Sequence, residues 1–512
     1  MFFFVSLLLF FSTLMLSAEK QTMCTDCSYE WKNATAIMSN TIVQIIADRT
    51  SFDWLNPWRL KDQGQFSGSG FFFKLPGLIE QDGYILTNYH VVDEARVLAI
   101  YIPILGKRML SVELVGACPE GDVALLKLTE ESLIILQKAI GAIPYLCLGD
   151  SEELEGAMPV MALGYPNESR YMKSTVGVIA GREYDGASYI HMTAPINPGN
   201  SGGPLVNLLG KVMGINTAHR PDSSNIGYII PINDIKMLIP ELLKKKLVRR
   251  PSWGIIAQQA TDEQLHMYDN PVPGGMYIYE VKKNSFSEKI GIKKGDVLYY
   301  VNGYAIDNYC DVSVGWKLAE KVSIQEFFMH FSMGDQVDLV LYRNGKKIEL
   351  SCTLTDPILY PVRTIFPHFE QAEIEYVALG GIVLMQLRKN HFEEIGMSRT
   401  LSPYTEPDYE LKGVLVVTSL FPGSSLQKVD CLYVGALIDT VNGKKIHTLK
   451  DFHQALKISL KTGIVSFMTK EGKMTAVSLD VIISKEEQLA DDFMYPLSPE
   501  IAALIESYTH TS

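Results

Sequence analysis

The sequence predicts a mainly β protein: an antiparallel sandwich or pair of barrels in the first half, and a duplicated α+β domain in the second. Three observations predict it. Between residues 67 and 232, short apolar runs recur between Gly, Pro and Asp without βα alternation (GSGFFF, GYILTN, RVLAIYIP, DVALLKL, PVMALGY, TVGVIAG, KVMGIN, NIGYIIPI). The helical pattern NDIKMLIPELLKKK then closes that unit. Further on, IGIKKGDVLYYVNGYAID at 290–307 and CLYVGALIDTVNGKKIHTL at 431–449 share a Gly-centred turn, an apolar strand and V-N-G. The two V-N-G elements start at Val301 and Val441, an interval that suits two related domains of about 100 residues plus a connector.

At 512 residues the chain is too long for one core, and three folded units are expected. The composition, 47% apolar and 20% charged, is that of a globular protein, and a net charge of −12 leaves no basic field for nucleic acid. Residues 1–18, MFFFVSLLLFFSTLMLSA, read as an export signal cleaved after Ala18, with an uncleaved membrane anchor as the alternative. Residues 19–66 follow as an N-terminal segment and loop. The amphipathic TAIMSNTIVQIIADRT is expected to pack on a neighbouring domain or subunit, and 53–65 to form an exposed loop. Seven irregularly spaced cysteines make no disulfide framework, and Cys24 and Cys27 read as a local disulfide or two free thiols. No metal or cofactor motif is present. The cations Lys244, Lys245, Lys246, Arg249 and Arg250 suit a helix C-terminus and a linker, and Pro251 marks a boundary. The expected units are therefore 67–245, 251–357 and 372–486, with a C-terminal tail at 487–512.

Three motifs carry chemistry: LTNYHVV with His90, EGDVALLKL with Asp122, and INPGNSGGPL with Ser201. Singly, each has an ordinary explanation as a packed residue, a turn or a loop. Together they supply what a serine nucleophile needs, a base beside it and a carboxylate that fixes the base's tautomer. Asp122 follows His90 by 32 residues and Ser201 follows Asp122 by 79, the chain order of double-barrel serine proteases. A nucleophile elbow would need a helix after Ser201, but Pro204 and a strand follow, which favours paired barrels. The glycines around Ser201 suit an oxyanion hole, with Gly199 and Ser201 as N–H donors.

TNYHVV, GDVALLKL, INPGNSGGPL, GKVMGINTA and NIGYIIP resemble the HtrA/Deg serine proteases, and the resemblance runs from about residue 35 onward. It implies a chymotrypsin-like double β-barrel followed by two PDZ-like α+β domains, in a layout closer to the long Deg proteases of organelles. It implies ATP-independent cleavage of misfolded proteins, homo-oligomers built on trimers, and activation by peptides. His90 is then the base, Asp122 its orienting group and Ser201 the nucleophile. Pro195 stands where a charge-selecting pocket would carry Asp. The pocket walls are expected from Ile215, Asn216, Thr217, Ile226, Gly227 and Tyr228, with cleavage after small or medium aliphatic residues. In the first repeat, Trp253, Gly254, Ile255 and Ile256 are expected to bind peptide by strand addition. The second repeat offers Leu379-Gly380-Gly381-Ile382, but Ala436 replaces the usual turn aspartate and favours a structural or assembly role. The expected compartment is the periplasm, with organelle lumen or secretion as alternatives, and the triplets at Asn33 and Asn167 matter only in a eukaryotic secretory route. The rival reading is a chaperone or scaffold that binds unfolded chains with little proteolysis.

Overall fold

The computed structural model describes residues 31, 38, 40–74, 83–166, 169–184, 188–217, 227–314, 321–355, 360–429 and 431–510. The signal segment, Cys24, Cys27, Asn33, Asn167 and Ile226 lie outside them. Six strands, β1 (Ile42–Phe52), β2 (Leu60–Phe72), β3 (Tyr84–Thr87), β4 (Ala95–Tyr101), β5 (Met109–Cys118) and β6 (Val123–Leu128), close a first barrel in the order β1-β2-β3-β6-β5-β4. Six more, β7 (Pro159–Gly164), β8 (Lys173–Tyr184), β9 (Ser188–Met192), β10 (Pro204–Val206), β11 (Val212–Thr217) and β12 (Gly227–Pro231), close a second.

The continuous apolar runs have a direct cause. Successive strand residues point to opposite faces, and here both faces are covered. Val43, Phe72, Ile85 and Leu126 fill the first barrel. Their neighbours Ile42, Phe71, Leu86 and Leu125 join Met161, Leu163, Tyr165, Ile215 and Ile230 in a shared seam between the barrels, closed by the helix Ile232–Leu242.

The structure corrects the expected boundaries. The barrel begins at β1, not at residue 67, because TIVQIIADRT is a strand whose residues 42–45 and 47 are buried. The segment 53–65 is not a free loop. Trp54 is buried against His391, with ring centroids 5.1 Å apart. Trp58 packs on Tyr376, Phe421 and Tyr495 and donates its indole N–H to the Phe493 carbonyl at 3.1 Å. Lys61 adds an ion pair to Glu394 at 2.6 Å. The second repeat is thus docked on the first barrel.

The first repeat is a sheet in the order β13 (Ile255–Gln259), β14 (Met276–Val281), β15 (Val297–Val301), β19 (Gln336–Arg343), β20 (Lys346–Thr353). The short β16 (Tyr304–Ala305) pairs with β15, and β17 (Asp311–Ser313) pairs with β18 (Lys321–Ser323). The second runs β21 (Tyr376–Leu379), β22 (Ile382–Gln386), β23 (Leu415–Leu420), β24 (Leu437–Val441), β26 (Ile464–Thr469), β27 (Met474–Ser478), with β25 (Lys444–Lys445) on β24. Both sheets are consistent with PDZ domains. Their likeness extends to atoms. Gly254 and Gly381 have φ of 69° and 90°, and their carbonyls accept from Lys282 and Phe421 N–H groups, each at 2.7 Å. Each V-N-G forms a turn with two positive φ angles, 49° and 79° in one copy and 49° and 73° in the other.

The copies differ at one edge. Among the described residues, β13 pairs only with β14, leaving its outer edge open. In the second copy β21 occupies that edge, pairing antiparallel with β22 from Tyr376 opposite Met385 to Leu379 opposite Ile382. The predicted Leu379–Ile382 loop is therefore a tight turn between two paired strands. The Gly380 N–H donates to Glu486 at 2.6 Å, and Tyr495 donates its hydroxyl to the same carboxylate at 2.7 Å. Burial pushes the Glu486 carboxyl up, partly offset by these two donors. The expected tail at 487–512 is likewise structured. The helices Leu479–Phe493 and Pro499–Thr509 set Ile482, Ile501 and Leu504 into the second repeat's core. Where the first repeat buries Asp296 on Arg343 at 2.6 Å, the second has buried Ala436 and moves its ion pair to Asp439 with Lys445 and Lys470. Among the described residues no helix is long and apolar enough to cross a membrane.

Glu486→Ala leaves the Gly380 N–H and the Tyr495 hydroxyl without their acceptor, at a cost of about 3 kcal/mol. Its expected signature is a lower denaturant midpoint for the transition that exposes Trp58, read by tryptophan fluorescence.

Candidate active site

His90 sits on the helical turn Tyr89–Val92 immediately after β3, and Asp122 ends the turn Pro119–Gly121 that opens β6. The antiparallel pairing of β3 with β6 brings these two turns side by side. Asp122 adopts φ 48° and ψ 43°, a left-handed conformation that Asp tolerates better than most residues. One carboxylate oxygen accepts the His90 backbone N–H at 2.9 Å and the other lies 2.9 Å from Nδ1. This pairing fixes the ring and assigns the proton to Nδ1, which leaves Nε2 as a base. Thr217 donates its hydroxyl to the same carboxylate at 3.2 Å, and Asn88 donates its amide to the Asp122 carbonyl at 3.0 Å.

Ser201 lies in the loop that enters the second barrel at β10. The loop is fastened to the first barrel by Ser69 of β2, whose N–H donates to the Ser201 carbonyl at 2.8 Å and whose hydroxyl donates to the Gly199 carbonyl at 2.6 Å. Gly202 donates to the Asn216 carbonyl of β11 at 3.0 Å. Gly202 has φ 86°, and a Cβ there would stand 2.0 Å from the Ser69 carbonyl oxygen and 2.3 Å from the Thr87 hydroxyl. At Gly203 a Cβ would meet the Leu163 carbonyl at 2.0 Å. The two glycines of the motif are thus required by close packing of backbone on backbone.

Asn216 and Thr217, adjacent on β11, thus tie the Ser201 loop and Asp122 to one strand. Asp122 and His90 are joined by hydrogen bonds, while the Ser201 hydroxyl makes none among the described residues. Catalytic hydrogen bonds are often loose before substrate arrives. The N–H groups of Gly199 and Ser201 also donate to no acceptor among the described residues, as an oxyanion hole requires.

Residues 68–215 match the family profile of the trypsin-like peptidase domain. The chain is 28% identical over 409 residues to a probable periplasmic serine endoprotease, DegP-like, of Marinomonas sp. (strain MWYL1), covering 77% of this chain and 75% of that one. It is 28% identical over 414 residues to the protein of the same description in Chlamydia trachomatis, covering 79% and 72%. The chain is a serine-type endopeptidase similar to the HtrA/Deg proteases. A solved structure of a variant of the HtrA-type protease AlgW with decapeptide shares the fold, at 22% identity and a TM-score of 0.50, over 64% of this chain and 98% of that one.

The residues expected to wall the pocket have these surroundings. Ile215 is fully buried in the seam between the barrels. Asn216 is buried with its amide on the Leu163 and Pro204 carbonyls, at 3.1 and 3.3 Å. The side chain of Thr217 serves Asp122 instead. Strand alternation alone did not reveal which of these faces inward. Gly227 and Tyr228 lie on β12 opposite Met192 and His191 of β9, and a Cβ at Gly227 would meet the Ala194 carbonyl oxygen and the Met192 side chain at 2.8 Å and the Ile196 side chain at 2.9 Å. Tyr228 packs on His191 at 4.7 Å. Trp253 also departs from expectation. It is buried, stacked on Phe328 at 4.3 Å and set against Phe286 and Phe331, so it is a core anchor and not a surface contact. The N–H groups of Trp253 and Gly254 donate to no acceptor among the described residues, and Ile255 and Ile256 lead the open edge of β13. Ser69, which braces the Ser201 loop, had no signal in the sequence, and Thr217 was singled out as a pocket wall and not as a partner of Asp122. Among the described residues, no His/Cys/Asp/Glu group is arranged to hold a metal ion.

Gly202→Ala forces apart the Ser69 and Ser201 backbones, so kcat/KM is expected to fall at least about 100-fold. Hydrolysis of an unfolded substrate, with circular dichroism showing an intact fold, checks this.

Proposed function

We propose that His90 is the general base, Asp122 its orienting carboxylate and Ser201 the nucleophile. On this reading the protease degrades unfolded proteins in an exported compartment without ATP. The observation that carries the proposal is the two-point grip of Asp122 on His90, together with a Ser201 loop in which the Gly199 and Ser201 N–H groups donate to no acceptor among the described residues. Substrate binding turns the Ser201 hydroxyl towards Nε2. His90 takes its proton as the oxygen attacks the scissile carbonyl, and the Gly199 and Ser201 N–H groups receive the negative oxygen. His90 then protonates the leaving amine, and water hydrolyses the acyl-enzyme by the same route.

The edge of β13 and the N–H groups of Trp253 and Gly254, which are unpaired among the described residues, support peptide capture by the first repeat as a means of regulation. The filled edge of β22 supports a structural role for the second. Homo-oligomers built on trimers and a periplasmic location accord with the family and with relatives named periplasmic.

The test is degradation of casein by the wild-type chain beside Ser201→Ala and His90→Ala. Loss of at least about 1,000-fold in both is expected, and equal degradation by Ser201→Ala would remove the mechanism. A peptide library should show cleavage after Val, Ala or Ile, given the apolar surroundings of Gly227; a preference for Lys or Arg would contradict the pocket.

A further inference from the structure

The stretch between the two repeats is not a free connector. Its helix Pro367–Glu370, with Phe366 before it, packs on the turn that carries His90 and is linked by charge to the turn that carries Asp122. The rings of Phe366 and Phe369 pack on Tyr89 at 6.0 and 6.4 Å. Tyr89 is buried, immediately precedes His90, and donates its hydroxyl to Asp93 across the same helical turn. The Arg49 guanidinium, stacked on Phe66 at 4.4 Å, donates to the His90 carbonyl.

The same segment reaches the other turn by charge. Glu370 bridges Arg249 and Arg363, each at 2.8 Å, and accepts the Phe366 N–H at 3.0 Å. Arg249 lies over the Phe366 ring and continues to Glu120 at 3.4 Å, two residues before Asp122. Glu120 also accepts the Arg250 N–H at 2.6 Å. Exposed ion pairs contribute little, but Arg249, Arg363 and Glu370 have side chains only 16%, 11% and 11% exposed and form a network. Burial alone would raise the Glu370 carboxyl; the Phe366 N–H and the two guanidiniums hold it below the usual range.

We propose that Phe366, Phe369 and Glu370 are positioning residues, holding the turns of His90 and Asp122 in register from outside the protease barrels. The proposal rests on the reading of those two residues as catalytic. One five-residue segment packs on the His90 turn and reaches the Asp122 turn through Arg249, and its far end continues into β21, which is fixed in the second repeat's sheet. The repeat is in turn held to the first barrel by Trp54, Trp58 and Lys61. Misplacement of reacting groups by about 1 Å costs up to about 100-fold in rate, so such a brace acts on turnover, whereas a merely structural contact acts on stability.

The experiment compares full-length wild type with Phe366→Ala/Phe369→Ala, Phe366→Leu/Phe369→Leu and Glu370→Gln. It measures kcat and KM on an unfolded substrate and the rate at which fluorophosphonate labels Ser201, well below the unfolding temperature. The alanine pair is expected to lower kcat and labelling about ten- to a hundredfold with KM nearly unchanged, the leucine pair to recover most of it, and Glu370→Gln to lower kcat by about tenfold. An alanine pair that folds and keeps wild-type kcat, or changes KM alone, overturns the proposal. If the alanine pair does not fold, wild-type kcat in both the leucine pair and Glu370→Gln overturns it. Ser201→Ala, run alongside, separates the two readings: its full activity would sink the catalytic assignment, while its inactivity beside unaffected connector variants sinks only the brace.

Discussion

The catalytic arrangement depends on one buried serine that joins the two barrels. Ser69 belongs to the first barrel, yet its N–H and hydroxyl both bind the Ser201 loop, and its hydroxyl also accepts the Tyr165 N–H of the second barrel at 2.8 Å. Its carbonyl takes the Thr87 hydroxyl at 2.8 Å. Every polar group of this fully buried residue is used, and all but one of these bonds cross the seam between the barrels. His90 and Asp122 belong to one barrel and Ser201 enters the other, so without this joint their relative position would depend on the Thr217 hydroxyl at Asp122, the Tyr165 hydroxyl at Ile42 and apolar contacts, which are not directional.

Most of the protease was legible in the sequence because its constraints are local. His90 follows a strand, Asp122 a turn and Ser201 a glycine pair, and each motif carries its own backbone geometry. Strand content was legible from short apolar runs. What stayed hidden required knowing which elements meet. The first strand reads as amphipathic because its buried faces are covered by two different cores. Trp54 and Trp58 look like loop residues until the second repeat is seen to cover them. Ile215, Asn216 and Thr217 alternate along a strand, and only the paired structure tells that Thr217 meets the Asp122 carboxylate while Ile215 meets the core.

The duplication was legible from V-N-G, a turn in which both central residues need positive φ. Its divergence was not. A single substitution, Ala436 for the aspartate of the first copy, hinted that the second had changed, and the ion pair to Asp439 shows how charge was redistributed around the same sheet. The larger change lies in the segment upstream of Gly380, where a short strand has no counterpart in the first repeat. The second copy thereby became part of the scaffold around the protease.

The strand β21 is joined to its partner by only the turn Gly380–Gly381, so the two are never separated by more than a short tether. Short tethers correspond to effective concentrations of about millimolar or more. A free chain end that binds such an edge with micromolar affinity would have to be supplied in large excess to compete. The two repeats therefore differ in what they offer an added strand: among the described residues the edge of β13 is vacant, while the edge of β22 is held by a strand that its own tether keeps at high local concentration.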